Sequence, residues 1–227
     1  MDLLDFIRGP LWWLAALVFV LGVAWRLQGL LRHPRVPDLS AARAGAPPPW
    51  QGAWRHVVRG LHPRRSFGSG NYLAGLNSYA MHIGLALIFF GYGPHIAFIR
   101  RHLGVGWPAL PDAVMYLAAG VTILAMIMAL VLRLSDPVLR LISNADDWLS
   151  WGLTFLPLIT GMAVITEASV HTLAREHTVF RGPLALHLLT FELLLIWFPF
   201  GKLMHAFLFP LARGATGARF SHRGVRS

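Results

Sequence analysis

The chain contains five long apolar runs, at about residues 10–27, 71–99, 110–132, 148–167 and 184–208. Each run is close to or above the roughly 20 residues that a helix needs to cross the hydrocarbon core of a bilayer. Pro10 suits a helix start, whereas Pro199 should kink the fifth run. The pattern predicts an all-α integral membrane protein with five transmembrane helices in a single domain, residues 1–227.

The polar segments between these runs differ in length and character. Residues 28–70 form the longest loop, which is basic and rich in proline and glycine. Within it, Ala46–Trp50 should be extended because it contains three consecutive prolines. Trp54–Leu61 is predicted to be a short surface helix with tryptophan and valine on one side. The tail, residues 212–227, is polar and basic, and we expect it to be loosely ordered.

The first run is interpreted as a retained span and not as a signal peptide. The segment before it, Met1–Arg8, contains two aspartates and one arginine, so it lacks the basic character that a signal peptide needs. No small-residue cleavage site follows the run either.

The composition agrees with a lipid environment. Hydrophobic residues make up 56% of the chain and charged residues 13%, whereas soluble domains carry about 25% charged residues. The net charge of +10 does not indicate nucleic-acid binding, because the arginines lie between apolar runs and not along one stripe. Positive residues beside membrane spans set topology and contact anionic lipid.

Lysine and arginine also predict the orientation. With the N-terminus outside, fifteen of them fall on the inside loops and tail and five on the outside. The positive-inside rule therefore favours an outer N-terminus and a cytoplasmic C-terminus.

Histidines provide the candidate chemistry. Of the eleven in the chain, His82, His187 and His205 lie in or near the ends of apolar runs, and His95 follows Pro94 in the second run. His187 and His205 are eighteen positions apart, so a continuous helix would place both on one face, about 27 Å apart. The second run crosses in the opposite direction. His82 should therefore face His205, and His95 should face His187, as two stacked haems in a helical bundle require.

Each of these features also has a simpler explanation. A histidine inside a membrane can form a hydrogen bond across helices without binding any cofactor. Gly84 and Gly91, near His82, could leave room for a flat porphyrin, or could only let two helices approach closely.

The chain resembles the cytochrome b (gamma) subunit of respiratory nitrate reductases, and the related cytochrome b subunit of the Dsr-type sulfite-reduction membrane complex. The resemblance covers most of the chain, from the first apolar run to the end of the fifth. The motifs that carry it are Leu186-His187 with Phe198–His205, Met81–Gly84 with Phe90-Gly91, and the loop Arg133–Asp146. A further run, Glu192–Ile196, is closer to the Dsr-type branch.

The resemblance implies that His82 and His205 bind one haem b on the side of the partner subunits. It implies that His187 binds a second haem b nearer the outer side. The nitrate-reductase pattern has a histidine directly after Phe90-Gly91, where this chain has Tyr92, so His95 is the candidate substitute.

The resemblance also implies a role in electron transport within the bacterial inner membrane, as one subunit of a quinol:acceptor oxidoreductase complex. The expected partners are quinone or quinol, lipid, and the iron–sulfur and catalytic subunits. Since the chain has no cysteine, any iron–sulfur cluster must belong to another subunit.

The same five spans would also suit a one-haem variant, a haem-free membrane anchor or a transporter, and the sequence leaves these three functions open. The candidate quinone contacts at the outer end are Tyr92, Arg100, Arg101, His171 and His177.

Overall fold

The computed structural model describes residues 2–32, 38–61, 72–166 and 181–225. Of the candidate quinone contacts, His171 and His177 lie outside the described residues, as does part of the loop 28–70. Within the described ranges the chain forms helices, turns and loops, with no strand. The helices are α1 Leu3–Arg32, α2 Pro49–Gly60, α3 Tyr72–Gly91, α4 Gly93–Leu103, α5 Asp112–Ser135, α6 Pro137–Ile142, α7 Ala145–Thr166, α8 Arg181–Trp197 and α9 His205–His222.

Three described helices are long and apolar enough to cross a membrane: α1, α3 and α5. A fourth span is added if α8 and α9 together form one broken span. Helix α7 covers the fourth predicted run but is not among them. A membrane protein with three or four candidate spans is therefore supported, whereas the fifth span and the orientation stay predictions.

Helix α1 is longer than its apolar run. It begins at Leu3 and ends at Arg32, whereas the run covers residues 10–27. Pro10 lies inside it, within a π-helical turn at Ile7–Leu11. Proline cannot donate the usual helical hydrogen bond, and a locally widened turn accommodates it without ending the helix.

The second predicted run, residues 71–99, is not one helix. Helix α3 ends at Gly91, Tyr92 is extended, and α4 begins at Gly93. Pro94 occupies the first turn of α4, where its missing N–H is not needed. The expectation of a single second span was therefore wrong in its C-terminal part, because the proline favours a new helix start.

The fifth predicted run, residues 184–208, is also interrupted. Helix α8 ends at Trp197, a turn covers Phe198–Phe200, and a 3₁₀ turn at Lys202–Met204 leads into α9. The kink expected at Pro199 is thus a complete break. The argument that His187 and His205 share one face, about 27 Å apart, was wrong because it required a continuous helix.

Two further expectations are corrected in the polar segments. The expectation of a loosely ordered tail was wrong for residues 212–222, because these residues form the second half of α9, which ends at His222. The proline-rich segment is extended only as far as Pro48, since Pro49 starts α2 at the first helical position, which proline favours.

The described chain divides into two compact units. The first unit contains Met1–Trp12 and Leu73–Leu194, and the second contains Trp13–Tyr72 and Leu195–Ser227. Helices α1 and α8 contribute residues to both.

In the first unit, polar side chains connect neighbouring apolar helices through backbone carbonyls. Asn77 of α3 donates from Nδ2 to the carbonyl of Ala125 in α5, at 2.9 Å. Trp151 of α7 donates from Nε1 to the carbonyl of Met126 in α5, at 3.0 Å. Because the donors satisfy their hydrogen-bonding capacity inside the unit, they fix the register of α3 and α7 against α5.

In the second unit, α2 and α9 pack closely through glycine. A Cβ added to Gly52 would overlap the Ser221 side chain of α9, and a Cβ added to Gly217 would overlap the carbonyl oxygen of Gly52 in α2. Ser221 donates from Oγ to the carbonyl of Pro47 at 2.7 Å. Small residues on both helices therefore allow this close approach, and the serine secures the loop before α2.

Candidate functional site

His95 and His187 are brought together in the first unit. Their ring centroids are 6.1 Å apart and their planes differ by 12°. His95 lies in the first turn of α4, and His187 lies in α8. The structure therefore places opposite each other the two residues that the sequence predicted as one haem-ligand pair.

The helix break at Tyr92 positions His95. Its Nδ1 lies 3.0 Å from the carbonyl oxygen of Ile88, in the last turns of α3. A carbonyl can only accept, so in a neutral imidazole Nδ1 carries the hydrogen and Nε2 keeps the lone pair. The rings of Tyr92 and Phe89 flank the imidazole, with centroids at 5.2 and 5.8 Å.

His187 is oriented by the helix opposite it, α7. Its Nδ1 lies 3.3 Å from Oγ1 of Thr160, whose own hydroxyl donates to the carbonyl of Leu156 at 2.7 Å. The carbonyl of Pro157, also in α7, forms a further hydrogen bond with the ring, so α7 orients the His187 imidazole through two groups. Gly161 leaves room for the ring, since a Cβ there would be 3.1 Å from the imidazole Cε1.

The donor set and the spacing at this pair fit a shared metal centre. A metal–imidazole nitrogen bond is about 2 Å long, so two imidazoles on opposite sides of one metal have ring centres roughly 6 Å apart. The separation of 6.1 Å agrees with that arrangement. Second-sphere hydrogen bonds that fix Nδ1–H are typical of metal-binding histidines. Among the described residues, no group of three or more His, Asp or Glu side chains could hold a metal ion.

His82 and His205 lie in different units and are described separately. Both side chains are exposed. His82 contacts the Ser78 carbonyl through Nδ1 at 2.7 Å, and His205 contacts the Lys202 carbonyl through Nδ1 at 2.8 Å. Both imidazoles thus have the same tautomer as His95, with the hydrogen on Nδ1. Their pairing on one haem stays a prediction.

The two glycines predicted near a cofactor contact protein side chains. A Cβ added to Gly84 would overlap Thr122 of α5, and a Cβ added to Gly91 would be 2.7 Å from Leu110 Cδ1. Close helix approach, the simpler of the two explanations, therefore accounts for Gly84. Tyr92 acts as the extended residue before α4 and packs its ring edge-on against His95.

The candidate quinone contacts are only partly described. Arg100 and Arg101 are exposed residues in the last turn of α4. The aliphatic part of Arg100 lies over Gly106, where an added Cβ would be 3.2 Å from its Cδ. This geometry agrees with an arginine that lies along the surface, and it does not bring the guanidinium to His95.

Two features near the histidine pair were not predicted as part of a site. Thr190 donates to the His187 carbonyl at 2.8 Å and lies 3.1 Å from Thr160, so two hydroxyls brace this part of α8. Glu192 is 2% exposed, and its Oε2 has no hydrogen-bond partner in the described residues. A carboxyl group in an apolar run was the available sequence signal for Glu192, because ionisable groups in such runs are often functional.

Comparison with known proteins gives one distant relative. A protein of Nitratidesulfovibrio vulgaris, named only "Protein", is 28% identical over 226 residues, which is 95% of this chain and 92% of that protein. No family model matches the chain. No solved structure matches it either.

Proposed function

We propose that the chain is a membrane-embedded b-type cytochrome subunit of a respiratory complex. In this proposal it transfers electrons between the quinone pool and an iron–sulfur partner on the cytoplasmic side. The observation that carries the proposal is the parallel arrangement of His95 and His187, with ring centres 6.1 Å apart.

His95 and His187 would hold one haem b through a ring nitrogen of each imidazole. His82 and His205 would hold a second, nearer the partner subunits. When bound, haem b supplies a one-electron carrier inside the membrane. The chain itself fixes the imidazoles: Ile88 holds the ring of His95, and Thr160 holds the ring of His187.

Aromatic side chains would separate this pair from water and ions. Phe89 packs near both His95 and Phe191, with ring centroids 5.8 and 6.0 Å away. An apolar wall of this kind favours the neutral imidazole that a metal requires, because burial disfavours the charged ring. The iron–sulfur clusters would belong to another subunit, since this chain has no cysteine.

A one-haem variant is the second candidate, and the described geometry favours it over a haem-free anchor or a transporter. The rings of His95 and His187 are close together within one unit, so this pair alone could supply both ligands of a single haem. A haem-free transporter would instead draw on Glu192, the buried carboxyl in α8, as a proton- or cation-binding group.

The test is the haem content of the purified full chain, measured as the pyridine haemochromogen, together with the reduced absorption spectrum. The wild-type chain should contain two haems b. His95→Ala and His187→Ala should each lose one, and His205→Ala and His82→Ala should lose the other. His102→Ala is the matched control, because His102 also lies in α4 and its Nδ1 also contacts a backbone carbonyl, that of Phe98, at 2.9 Å.

The outcomes separate the candidates. One haem in the wild type that is lost only with His95→Ala or His187→Ala indicates the one-haem variant. Two haems that persist in His95→Ala show that the outer-ligand assignment is wrong. If the chain is expressed with ample haem and the purified protein contains no porphyrin iron, the cytochrome proposal is overturned and only the membrane helices remain.

A further inference from the structure

Helix α2 carries an exposed apolar stripe. Trp50 is 68% exposed, Trp54 67%, Val58 44% and Leu61, the residue after the helix, 57%. At about 100° per residue these positions fall within an arc of roughly 80°. Large aromatic and aliphatic side chains thus form one continuous surface on α2 that the described chain does not cover.

A shallow apolar groove adjoins this stripe on the side of α9. Its volume is about 510 Å³, and it is lined by Trp50, Ala53, Trp54, Val57, Pro210 and Gly214. No lining residue is charged. The stripe and the groove therefore form a single apolar face within the second unit.

Positive charge surrounds this face. Arg55 is exposed beside the stripe and Arg59 on the opposite side of α2, and α2 and α9 contain no acidic residue. The guanidinium of Arg213 packs against Gly60, and its Nε is buried without a hydrogen-bond partner in the described chain. The pKa of His56 is lowered by burial and by Arg213 and Arg59, which indicates a positive potential between the two helices.

These features together match a lipid surface better than a soluble partner. Helix α2 has 12 residues, so it is about 18 Å long and cannot cross a bilayer. The same unit contains most of α1, a candidate membrane span that ends at Arg32, so a bilayer is always near. Tryptophan is enriched where apolar and headgroup regions meet. Amphipathic helices with arginine on the polar face lie in the plane of anionic membranes.

We propose that α2 is an interfacial helix that binds anionic phospholipid. Trp50, Trp54, Val58 and Leu61 enter the upper acyl region, and the arginines of α2 and α9 contact the phosphate groups. The apolar groove beside Gly214 accommodates part of an acyl chain. This proposal is independent of haem binding, since none of its residues belongs to the histidine pair.

The absence of cysteine makes a site-specific test direct, because one introduced cysteine is the only thiol in the chain. Full-length Val58→Cys and Arg59→Cys variants carry a nitroxide label on the apolar and polar sides of α2. Each is reconstituted into vesicles of phosphatidylcholine, with or without phosphatidylglycerol. Collision of the label with oxygen, which concentrates in lipid, is compared with collision with a water-soluble nickel complex.

With phosphatidylglycerol, the label at position 58 should show a several-fold higher ratio of oxygen to nickel collisions than the label at position 59. The difference should shrink in pure phosphatidylcholine. The ratio at position 58 should also fall when Arg55→Gln and Arg219→Gln are added to Val58→Cys, since each arginine contributes roughly a fivefold preference for an anionic surface.

Three results would overturn the proposal. Nickel access at position 58 equal to that at position 59 means that the stripe faces water. Shielding of position 58 from both reagents means that protein, such as a second copy of this chain, covers it. A ratio at position 58 that does not depend on phosphatidylglycerol or on the arginines excludes anionic phospholipid as the specific occupant.

Discussion

Replacing Gly84 distinguishes its two possible roles, close helix packing and clearance for a porphyrin. A Cβ at this position overlaps Oγ1 of Thr122, which is fully buried and donates to the Ala118 carbonyl at 2.6 Å. The threonine cannot rotate away without losing this hydrogen bond, and its branched side chain has few rotamers in a helix. Gly84→Ala should therefore push α3 away from α5.

The size of the effect follows from the cost of overpacking a well-packed interior, about 1–3 kcal/mol. For a chain of this size each kcal/mol lowers the unfolding midpoint by roughly 2–4 °C. The higher helix propensity of alanine offsets about 1 kcal/mol of this cost, so Gly84→Ala should lower the midpoint by up to roughly 8 °C. It should melt roughly 2–12 °C below a glycine-to-alanine variant that gains the same propensity without a clash. Gly120→Ala, on α5 with no atom within 4 Å of the added Cβ, should not lower the midpoint.

The nine tryptophans allow the midpoint to be read from intrinsic fluorescence in detergent or nanodiscs. All variants are heated at one scan rate, because unfolding of membrane proteins is often irreversible. Thr122→Ala combined with Gly84→Ala should recover most of the loss, since the overlapping oxygen is then absent. A Gly84→Ala variant that melts like Gly120→Ala but loses haem would refute the packing explanation and favour clearance for a porphyrin.

Three further predictions concern contacts within single units. Gly217→Ala should lower the unfolding midpoint, because the added Cβ meets the rigid backbone of Gly52. Gly214→Ala should be tolerated, because the nearest atom to its added Cβ would be 3.8 Å away. Equal midpoints for the two variants would contradict the packing of α2 on α9. Arg133→Ala should destabilise the loop between α5 and α7 by up to about 1 kcal/mol, since Arg133 contacts Asp147 at 3.2 Å and Ser143 at 2.8 Å. Amide hydrogen exchange in that loop should therefore rise more in Arg133→Ala than in the control variant Arg140→Ala. Hydrogen bonds from Arg223 and Ser40 hold the pKa of Asp38 well below its ordinary 3.8, so the stabilisation from the Asp38–Arg223 ion pair is fully present above pH 3.8 and is lost only as the pH falls further. A nitroxide at Val225→Cys should therefore stay restrained from neutral pH down to pH 3.8, and it should become mobile in Asp38→Asn. Label mobility that already rises near neutral pH would contradict the ion pair.

The candidate site shows where sequence reasoning succeeds and where it needs the fold. The choice of His95 and His187 came from histidines in apolar runs and from the assumption that consecutive spans are antiparallel. Their proximity agrees with that choice, although the supporting argument from a continuous fifth span failed at Phe198–Phe200. Thr160 could not be predicted as the partner of His187, because a hydroxyl 27 positions away in an apolar run gives no pattern.

The sequence alone determined the helical class and the presence of helices long and apolar enough to cross a membrane, because hydrophobic run length and low charge depend only on local composition. It also excluded a cysteine-ligated iron–sulfur cluster within this chain, since no cysteine is present. Only the tertiary structure decided where α3 and α8 end, because proline permits a kink, a break or a helix start, and packing selects among them. It also decided that Gly84 contacts Thr122 and that the tail packs as α9 on α2, because glycine gives no indication of which neighbour will approach it.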